Sequence, residues 1–370
     1  MPPIEQQRSN FIVQTCEARA KQGEILLFCP KGKSRQTPFE TGDPFGLRKA
    51  ILPVFERTTD GNLIGMGTAV HLDGWGGCLT AEHVIEFLRN DLPQRGLSGQ
   101  QKHTLNPTTR SHAIALLGIG LVYGQVAVPD WAFAPITDTL AVTREVDDPF
   151  AELQGRRRFE MAIDIASFQA AIPDAAYEGR DSPQAMPLQL EGWAPTVGEQ
   201  VLAFGYPELK PSAVVSETAL QLMIEDGLFG AYGTITRVFR FGRDHTNPTP
   251  VFEVSAHWPS GMSGGPVVNA AGNVVGLVSR SLAPDGEHDG VGYAACLPWI
   301  SELAHLVPRV DRLNPGSRVG YGVFRGDPQL LIGVWPSHQL AMEHAVRLGP
   351  SYAVHACTHK IGTDEYICIA

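Results

Sequence analysis

The serine at position 263 stands in a context that suits nucleophilic catalysis. It lies in the hexapeptide Gly-Met-Ser-Gly-Gly-Pro, residues 261–266. A serine hydroxyl needs a base to accept its proton and N–H donors aimed at the oxyanion that develops during attack. Glycines on both sides of the serine permit a tight turn with unusual φ angles. The hexapeptide therefore predicts Ser263 as a nucleophile, with the backbone N–H groups of Gly261 and Ser263 as the oxyanion donors.

A histidine at position 83 has the context expected of a general base. His83 lies in Leu-Thr-Ala-Glu-His-Val, residues 79–84, which follows a predicted strand at 67–72. An imidazole with a pKa near neutrality can accept a proton and return it within one catalytic cycle. The chain has 12 histidines, and no other lies in a comparable motif, so the sequence predicts His83 as the base.

An aspartate inside an apolar segment completes the set. Asp164 lies in Met-Ala-Ile-Asp-Ile-Ala, residues 161–166, which is predicted to be a strand. A buried carboxylate is unfavourable unless it is paired, and an imidazole N–H would supply the partner and hold the ring in the useful tautomer. Asp130 is the alternative, but Pro129 before it lacks an N–H and is unsuited to a central strand. The prediction is Asp164.

These segments resemble the motifs of the trypsin-like (chymotrypsin-fold) serine peptidases, in a bacterial-type form without disulfides. Residues 261–266 resemble the family's GxSGGP, residues 79–84 its TAAHC or TAAHV, and residues 161–166 its D-[IL]-A. The sequence departs from the family at Glu82, where the family usually has alanine. Residues 197–207 and the strand-turn-strand pattern of residues 267–276 also match the family. The order His, Asp, Ser is that of the family.

The resemblance implies a serine endopeptidase that forms an acyl-enzyme on Ser263. His83 would act first as base and then as acid, Asp164 would orient it, and no metal or other cofactor would be needed. Residues 255–260, 279–281 and 290–293 would line the substrate pocket.

The predicted substrate-binding residues are His257, Ser279, Arg280 and Ser281. His257 lies six positions before the nucleophile, where in the family that the chain resembles an acidic residue would indicate a preference for Lys or Arg. A histidine there suits an acidic or polar substrate side chain, and it equally suits a buried residue with its own partners. The backbone of residues 279–281 would pair with an extended substrate as an added strand.

Two other functions fit part of the pattern. Gly-x-Ser-x-Gly also occurs in the nucleophile elbow of α/β-hydrolase esterases, which requires a helix after the serine and a histidine downstream. Here Pro266 and a valine-rich run follow, and His288 and His305 lie in no motif. A catalytically idle binding module with the same fold is the alternative from another class. The segment 355–359, His-Ala-Cys-Thr-His, lacks an evident fourth ligand and is interpreted as an ordinary strand.

Composition limits the partners and the compartment. The net charge of −10 and the pI of about 5.6 disfavour nucleic-acid binding, which depends on Lys and Arg facing phosphates. The 6 cysteines are scattered without a CxxC pair. The N-terminus shows no signal-peptide pattern. The longest apolar stretch, residues 113–123, is shorter than the ~20 residues of a membrane span. We expect a cytoplasmic protein that acts on a protein or peptide substrate and binds no nucleic acid or membrane.

Many short strand patterns predict a mostly β, two-barrel antiparallel chymotrypsin-like fold with a small C-terminal α+β module. The expected organisation is an N-terminal extension at 1–47, the peptidase domain at 48–308 and a ββαββ module at 319–370. A helix is predicted at 297–307, and an insertion near 90–109 would lengthen the segment between His83 and Asp164. The C-terminal module is a candidate site for a regulatory partner.

Overall fold

The computed structural model of the chain describes most of its central part and its C-terminal region. The described residues are 39–40, 47–57, 63–72, 76–86, 100–104, 112–116, 124–127, 133–146, 153, 155, 159–173, 186, 188–207, 212–216, 219–224, 228–244, 247–284, 290–303, 317–326, 330–335, 338–360 and 366–368. Within them, no helix is long and apolar enough to cross a membrane.

Strands dominate the described chain. They are β1 (Phe39–Glu40), β2 (Ile51–Arg57), β3 (Leu63–His71), β4 (Gly77–Thr80), β5 (Gln100–Thr104), β6 (His112–Leu116), β7 (Gly124–Ala127), β8 (Phe133–Val146), β9 (Phe159–Ala170), β10 (Gln200–Gly205), β11 (Ser212–Ser216), β12 (Ala219–Ile224), β13 (Phe229–Phe239), β14 (Val251–Ser255), β15 (Pro266–Val268), β16 (Val274–Leu282), β17 (Val291–Cys296), β18 (Ser317–Arg325), β19 (Leu330–Trp335), β20 (Tyr352–Lys360) and β21 (Tyr366–Cys368). The α-helices are α1 (Glu82–Ile85) and α2 (His338–Leu348), and 3-10 helices lie at Leu47–Lys49 and Leu297–Trp299.

The first barrel is an antiparallel sheet that closes on itself. Its strand order is β8-β6-β2-β3-β4-β9, and β9 pairs back to β8, while β5 extends the sheet beside β8. β2 and β3 form the hairpin that the sequence predicts. The interior is filled by apolar side chains with no exposed surface, among them Leu52, Val54 and Ala69.

The second barrel closes in the same way. Its order is β13-β10-β15-β16-β17-β14, with β14 pairing back to β13 and β1 added to the free edge of β13. Phe252, Val254 and Val267 belong to its interior and are fully buried. The predicted two-barrel antiparallel fold is therefore confirmed, and two residues of the expected N-terminal extension, Phe39 and Glu40, join the second barrel.

A large apolar cluster lies between the barrels and fixes them to each other. The first barrel contributes Phe55 and Leu79, and the second contributes Phe204, Tyr206 and Leu277, all of them at most 1% exposed. Burying each such side chain stabilises the fold by about 1.5–3 kcal/mol. Because the candidate site residues come from both barrels, this cluster determines their relative placement.

The C-terminal module has the ββαββ order that its sequence predicts. Its sheet has the order β19-β18-β20-β21, and α2 packs on it through Ala341 and Ala345, which contact Val323. The module is thus a small α+β unit with a core of its own. The boundaries 48–308 and 319–370 remain predictions.

Two segments differ from the sequence-based expectation. Within the described residues, the segment predicted as a helix at 297–307 begins with a 3-10 helix, Leu297–Trp299, which has Pro298 in its first turn and ends at extended Ile300. After a turn Leu303 is again helical, and residues 304–307 lie outside the described chain. Strands β11, β12 and β7 form, in that order, a separate three-stranded sheet, and the sequence did not predict β11 and β12. In the predicted insertion, residues 100–104 form β5, and residues 90–99 and 105–109 lie outside the described chain.

Candidate active site

Ser263 lies on the loop that joins β14 to β15 in the second barrel. Met262 N donates to Pro259 O across 3.2 Å, and Gly261 has a φ of +94° inside this turn. A side chain at Gly264, whose φ is +81°, would lie 2.1 Å from the carbonyl oxygen of Thr68. The glycines of the hexapeptide are thus required by backbone conformation and by close approach to the first barrel.

Thr68 of β3 holds this loop against the first barrel. Its N–H donates to Ser263 O across 2.8 Å, and its hydroxyl donates to Gly261 O across 2.7 Å. The same hydroxyl oxygen accepts a hydrogen bond from Tyr206 N at 3.1 Å. Thr68 is fully buried. Through these hydrogen bonds it connects β3 to the Ser263 loop and to residues 205–207, Gly-Tyr-Pro.

The predicted oxyanion donors are on this loop. Among the described residues, the N–H groups of Gly261 and Ser263 donate to no protein acceptor. Because the carbonyl of Gly261 is already held by Thr68, the orientation of the following peptide group is restrained. These N–H groups are therefore available to a developing oxyanion, and their assignment to that role stays a prediction.

His83 and Asp164 are brought together from segments 81 residues apart. His83 is on α1, the short helix that follows β4, and Asp164 is on β9 of the same barrel. The imidazole Nδ1 lies 2.8 Å from Asp164 Oδ1, and the backbone N–H of His83 also donates to that oxygen, at 3.3 Å. A carboxylate at Nδ1 orients the ring and keeps Nε2 as the nitrogen that can exchange a proton.

The second carboxylate oxygen and the backbone of Asp164 have partners in the second barrel. The hydroxyl of Ser279 on β16 donates to Asp164 Oδ2, and Asp164 N donates to the hydroxyl oxygen of Thr249 across 2.9 Å. Burial raises the pKa of Asp164, but the hydrogen bonds and charge of His83 and the hydrogen bond from Ser279 outweigh it, so the pKa is lowered overall. Asp164 is thus held as a carboxylate.

The pKa of His83 is shifted in the opposite direction. Burial lowers it, but the hydrogen bond and the negative charge of Asp164 more than compensate, so the pKa lies above the usual 6.5. Arg280 lowers this pKa and Glu86 raises it through their charges. The imidazole is therefore a stronger base than an isolated histidine, which favours proton acceptance from a hydroxyl near neutral pH.

Ser263 lies close to the segment that carries His83. Ser263 O and Val84 Cγ2 lie 2.9 and 2.7 Å from the position that a Cβ atom on Gly67 would occupy. Within the described chain, no hydrogen bond joins the hydroxyl of Ser263 to His83. The structure thus brings His83 and Asp164 into contact and brings the Ser263 loop alongside them. In proteins without bound substrate, the contact between nucleophile and base is often longer than a hydrogen bond.

A cavity of about 210 Å³ lies beside the histidine–aspartate pair. His83, Asp164, Ser279, Arg280 and Tyr293 are among its lining residues. Beyond Leu277, β16 no longer pairs with β15, whereas residues 280–282 pair with β17 on the other side. The edge at residues 279–281 is the one that the sequence predicts to receive an extended substrate.

The residues predicted to form the base of the pocket lie beside β17. His257 is half-buried and packs on Gly290, where an added Cβ would lie 3.1 Å from the Cβ of His257. Its Nδ1 is buried and has no hydrogen-bond partner within the described residues. The hydroxyl of Ser281 accepts from Trp258 N across 3.1 Å. Burial lowers the pKa of His257, which favours the neutral imidazole.

Thr68 and Thr249 are functional-site residues that no sequence pattern marks. Both are threonines of ordinary context whose hydroxyl oxygens accept hydrogen bonds from residues 138 and 85 positions away. No local pattern marks such a contact, because it depends on how the barrels pack. The flanking prolines at 248 and 250 are the only local signal at Thr249 that its segment is conformationally restricted.

The structure bears on one alternative from the sequence and leaves another outside the described residues. A strand, β15, and not a helix follows the Ser263 loop, so the nucleophile elbow of the α/β-hydrolases is absent from this segment. Asp130, the competitor of Asp164, lies outside the described residues.

The chain is similar to one known family and to solved structures. The model of the trypsin-like peptidase domain matches residues 65–277, more than half of the chain. No curated protein matches the chain. Among solved structures, the chain is similar to the inactive form of the Rv3671c protease of M. tuberculosis, with 15% identity over 70% of this chain and 89% of that chain and a TM-score of 0.36. It is also similar to a serine endoprotease from Yersinia pestis, with 16% identity over 88% of this chain and 96% of that chain and a TM-score of 0.38. On the extent of the family match, the chain belongs to the trypsin-like peptidase domain family.

Proposed function

We propose that the protein is a serine endopeptidase that cleaves peptide bonds through an acyl-enzyme on Ser263. The observation that carries this proposal is the contact of 2.8 Å between His83 Nδ1 and Asp164 Oδ1, in a chain that also keeps the Ser263 loop. A buried carboxylate is unfavourable without partners, and here its partners are the histidine and Ser279. A binding module would have no need for this arrangement.

In the first half of the reaction, Ser263 Oγ attacks the carbonyl carbon of the scissile peptide. His83 Nε2 accepts the serine proton, and Asp164 stabilises the imidazolium that forms. The N–H groups of Gly261 and Ser263 donate to the oxyanion. When the tetrahedral intermediate collapses, the C–N bond breaks, His83 returns the proton to the leaving amine, and the acyl group remains on Ser263.

In the second half, water takes the place of the amine. His83 removes a proton from the water molecule as its oxygen attacks the acyl carbon, and the second tetrahedral intermediate is stabilised by the same N–H donors. Collapse breaks the ester bond, and His83 protonates Ser263 Oγ. The enzyme is regenerated and the acid product leaves, with no external cofactor in the balance.

Labelling with a fluorophosphonate tests the nucleophile directly. The reagent forms a P–O bond with an activated serine and releases fluoride. The native chain should label at neutral pH, whereas Ser263→Ala should not, and peptide mapping should place the adduct on Ser263. Ser351→Ala is the control, because it removes an exposed serine of the C-terminal module, outside the predicted substrate pocket, and should leave labelling intact.

Absence of Ser263-dependent labelling in a folded native chain would contradict the proposal and favour an idle binding module. A peptide library should then also remain uncut. If short acyl esters were hydrolysed while no peptide was cleaved, the esterase function would replace the peptidase.

A further inference from the structure

The backbone of Asp164 lies at an irregularity in β9. Between β8 and β9, Ala141 pairs with Ala166 and Thr143 pairs with Ala162, so three residues of β9 oppose a single residue of β8. Asp164 is the middle one of the three. Such a bulge removes the ladder hydrogen bonds of the extra residues and redirects their side chains. The N–H of Asp164 donates instead to the hydroxyl oxygen of Thr249, at 2.9 Å.

Thr249 belongs to the second barrel and is only 5% exposed. Since Asp164 N has lost its strand partner at the bulge, the Thr249 hydroxyl oxygen is the group that satisfies this donor. The hydrogen bond crosses from one barrel to the other, and it holds the residue whose carboxylate contacts His83.

Arg144 of β8 fixes the segment that carries Thr249. Its Nη1 donates to Pro248 O at 3.0 Å, one residue before Thr249. Its Nε and Nη2 donate to the two carboxylate oxygens of Glu302, each at 2.9 Å. A bidentate pair of this kind fixes the orientation of a guanidinium group as well as its position. Arg144 also pairs with Met161 in the β8–β9 ladder, directly beside the bulge.

We infer that Arg144 and Thr249 are positioning residues of the proposed peptidase reaction, forming a clamp between the barrels that holds the β9 bulge and keeps the Asp164 carboxylate at His83. Neither residue needs to contact substrate. The inference rests on the proposed function, but its physical content is the position of Asp164, which can be measured without turnover.

A displaced Asp164 would change the titration of His83 in a known direction. Asp164 raises the pKa of His83, as does Glu86 after α1, while Arg280 on β16 lowers it. Glu82 on α1 and Arg243 line the same cavity. Of these groups, Asp164 is the one whose backbone N–H bonds the clamp residue Thr249. Loosening the clamp should therefore lower the pKa of His83, and the acid limb of the rate profile should move to lower pH.

Thr249→Val is the main test, because it keeps the shape of the side chain and removes the acceptor oxygen. We expect kcat to fall by about 10- to 100-fold, as for a small misplacement of a reacting group, with KM little changed and the acid limb of kcat moved to lower pH. Thr249→Ser keeps the oxygen and should restore both values. Thr137→Val removes a β8 hydroxyl that bonds Asp138 and Gln169 O instead, and it should leave the profile unchanged.

Arg144→Lys provides the second variant, since it keeps the charge and loses the bidentate pairing. NMR titration of the His83 imidazole in Ser263→Ala chains, with and without Thr249→Val or Arg144→Lys, should show a lower pKa in both clamp variants. A native His83 titration in folded clamp variants would overturn the inference. If Thr249→Val does not fold, Arg144→Lys decides alone. If the native chain showed no Ser263-dependent labelling, the proposed function would be refuted. The NMR titration of His83 would still test the clamp, because it does not depend on turnover.

Discussion

At the residue scale, the proposed site depends on the pKa of His83, which burial and neighbouring charges of both signs determine. Burial lowers its pKa, Asp164 raises it most, and the smaller effects of Arg280 and Glu86 oppose each other. Because His83 must be neutral to accept the proton of Ser263, activity is expected to fall as pH drops through the raised pKa. The surrounding charges therefore set the pH at which the proposed peptidase begins to work.

Two substitutions test this balance in opposite directions. Arg280→Gln removes a positive charge that lowers the pKa of His83, so the acid limb of kcat/KM should move to higher pH. Glu86→Gln removes a negative charge that raises the pKa, so the limb should move to lower pH. Arg280 is also a predicted substrate-binding residue, so the limb's midpoint and not its height is the measurement.

High salt provides the control for both variants. Arg280 and Glu86 are exposed, so salt should screen their effects and bring the midpoints of both variants towards that of the native chain. Shifts of the same sign in the two variants would contradict this account of the charges.

At the element scale, the Ser263 loop is restricted by how closely it approaches β3 and β4. An added Cβ at Gly264 would lie 2.1 Å from Thr68 O and also 2.1 Å from the hydroxyl oxygen of Thr80, and the φ of +81° is unfavourable for other residues. The loop conformation therefore cannot be maintained with a side chain at this position unless β3 moves.

Gly264→Ala should lower the free energy of unfolding by about 3 kcal/mol or more, from backbone strain together with overpacking, and should abolish fluorophosphonate labelling. Urea unfolding followed by tryptophan fluorescence measures the first effect. Gly192→Ala is the matched control, since Gly192 also has a positive φ, +74°, but no atom lies within 4 Å of the added Cβ. That control should lose only about 1 kcal/mol. Equal losses in the two variants would assign the whole effect to strain.

At the scale of the whole molecule, function depends on the contact between the barrels. His83 and Asp164 come from the first barrel, and Ser263, Ser279 and Thr249 from the second. Besides the apolar cluster, a hydrogen bond connects the two barrels, since Tyr206 OH donates to Ile51 O across 2.9 Å. A change in the packing between the barrels should therefore displace the residues of the proposed site relative to one another.

Tyr206→Phe removes that hydrogen bond and keeps the aromatic ring. Because both residues are fully buried, the free energy of unfolding should fall by about 1–3 kcal/mol as the carbonyl of Ile51 loses a donor. Differential scanning calorimetry measures the change. Tyr321→Phe in the C-terminal module, where the ring packs on His338 at 5.4 Å, should leave the transition of the barrels unchanged. If Tyr206→Phe unfolded at the same temperature as the native chain, this hydrogen bond would not contribute to the contact between the barrels.

The C-terminal module provides the last prediction. Its buried residues Val323, Ala341 and Ala345 pack with one another, so a chain that ends at residue 316 should still fold its barrels and label at Ser263. If the module is a site for a regulatory partner, as the sequence led us to expect, this truncated chain should cleave a different set of substrates in a proteome-derived library, or cleave them at different rates. An identical cleavage profile would make the module a passive appendage.

The sequence by itself predicted the family, the two-barrel fold, the ββαββ module and the contact between His83 and Asp164. This was feasible because tight turns, buried carboxylates and alternating strands depend on local chemistry that short segments display. The continuous helix predicted from residue 297 was wrong at residues 300–302, where extended Ile300 ends a single 3-10 turn that contains Pro298.

The tertiary structure alone decided which groups hold those residues. Thr68, Thr249 and Arg144 act through hydrogen bonds to residues 85 to 193 positions away, and the bulge at Asp164 exists only because β8 and β9 pair in a particular register. No segment displays such contacts, because they arise when two closed barrels pack and leave specific donors and acceptors facing each other. The sequence thus indicated which residues could react, and the packing of the barrels determined how Asp164 is held at His83.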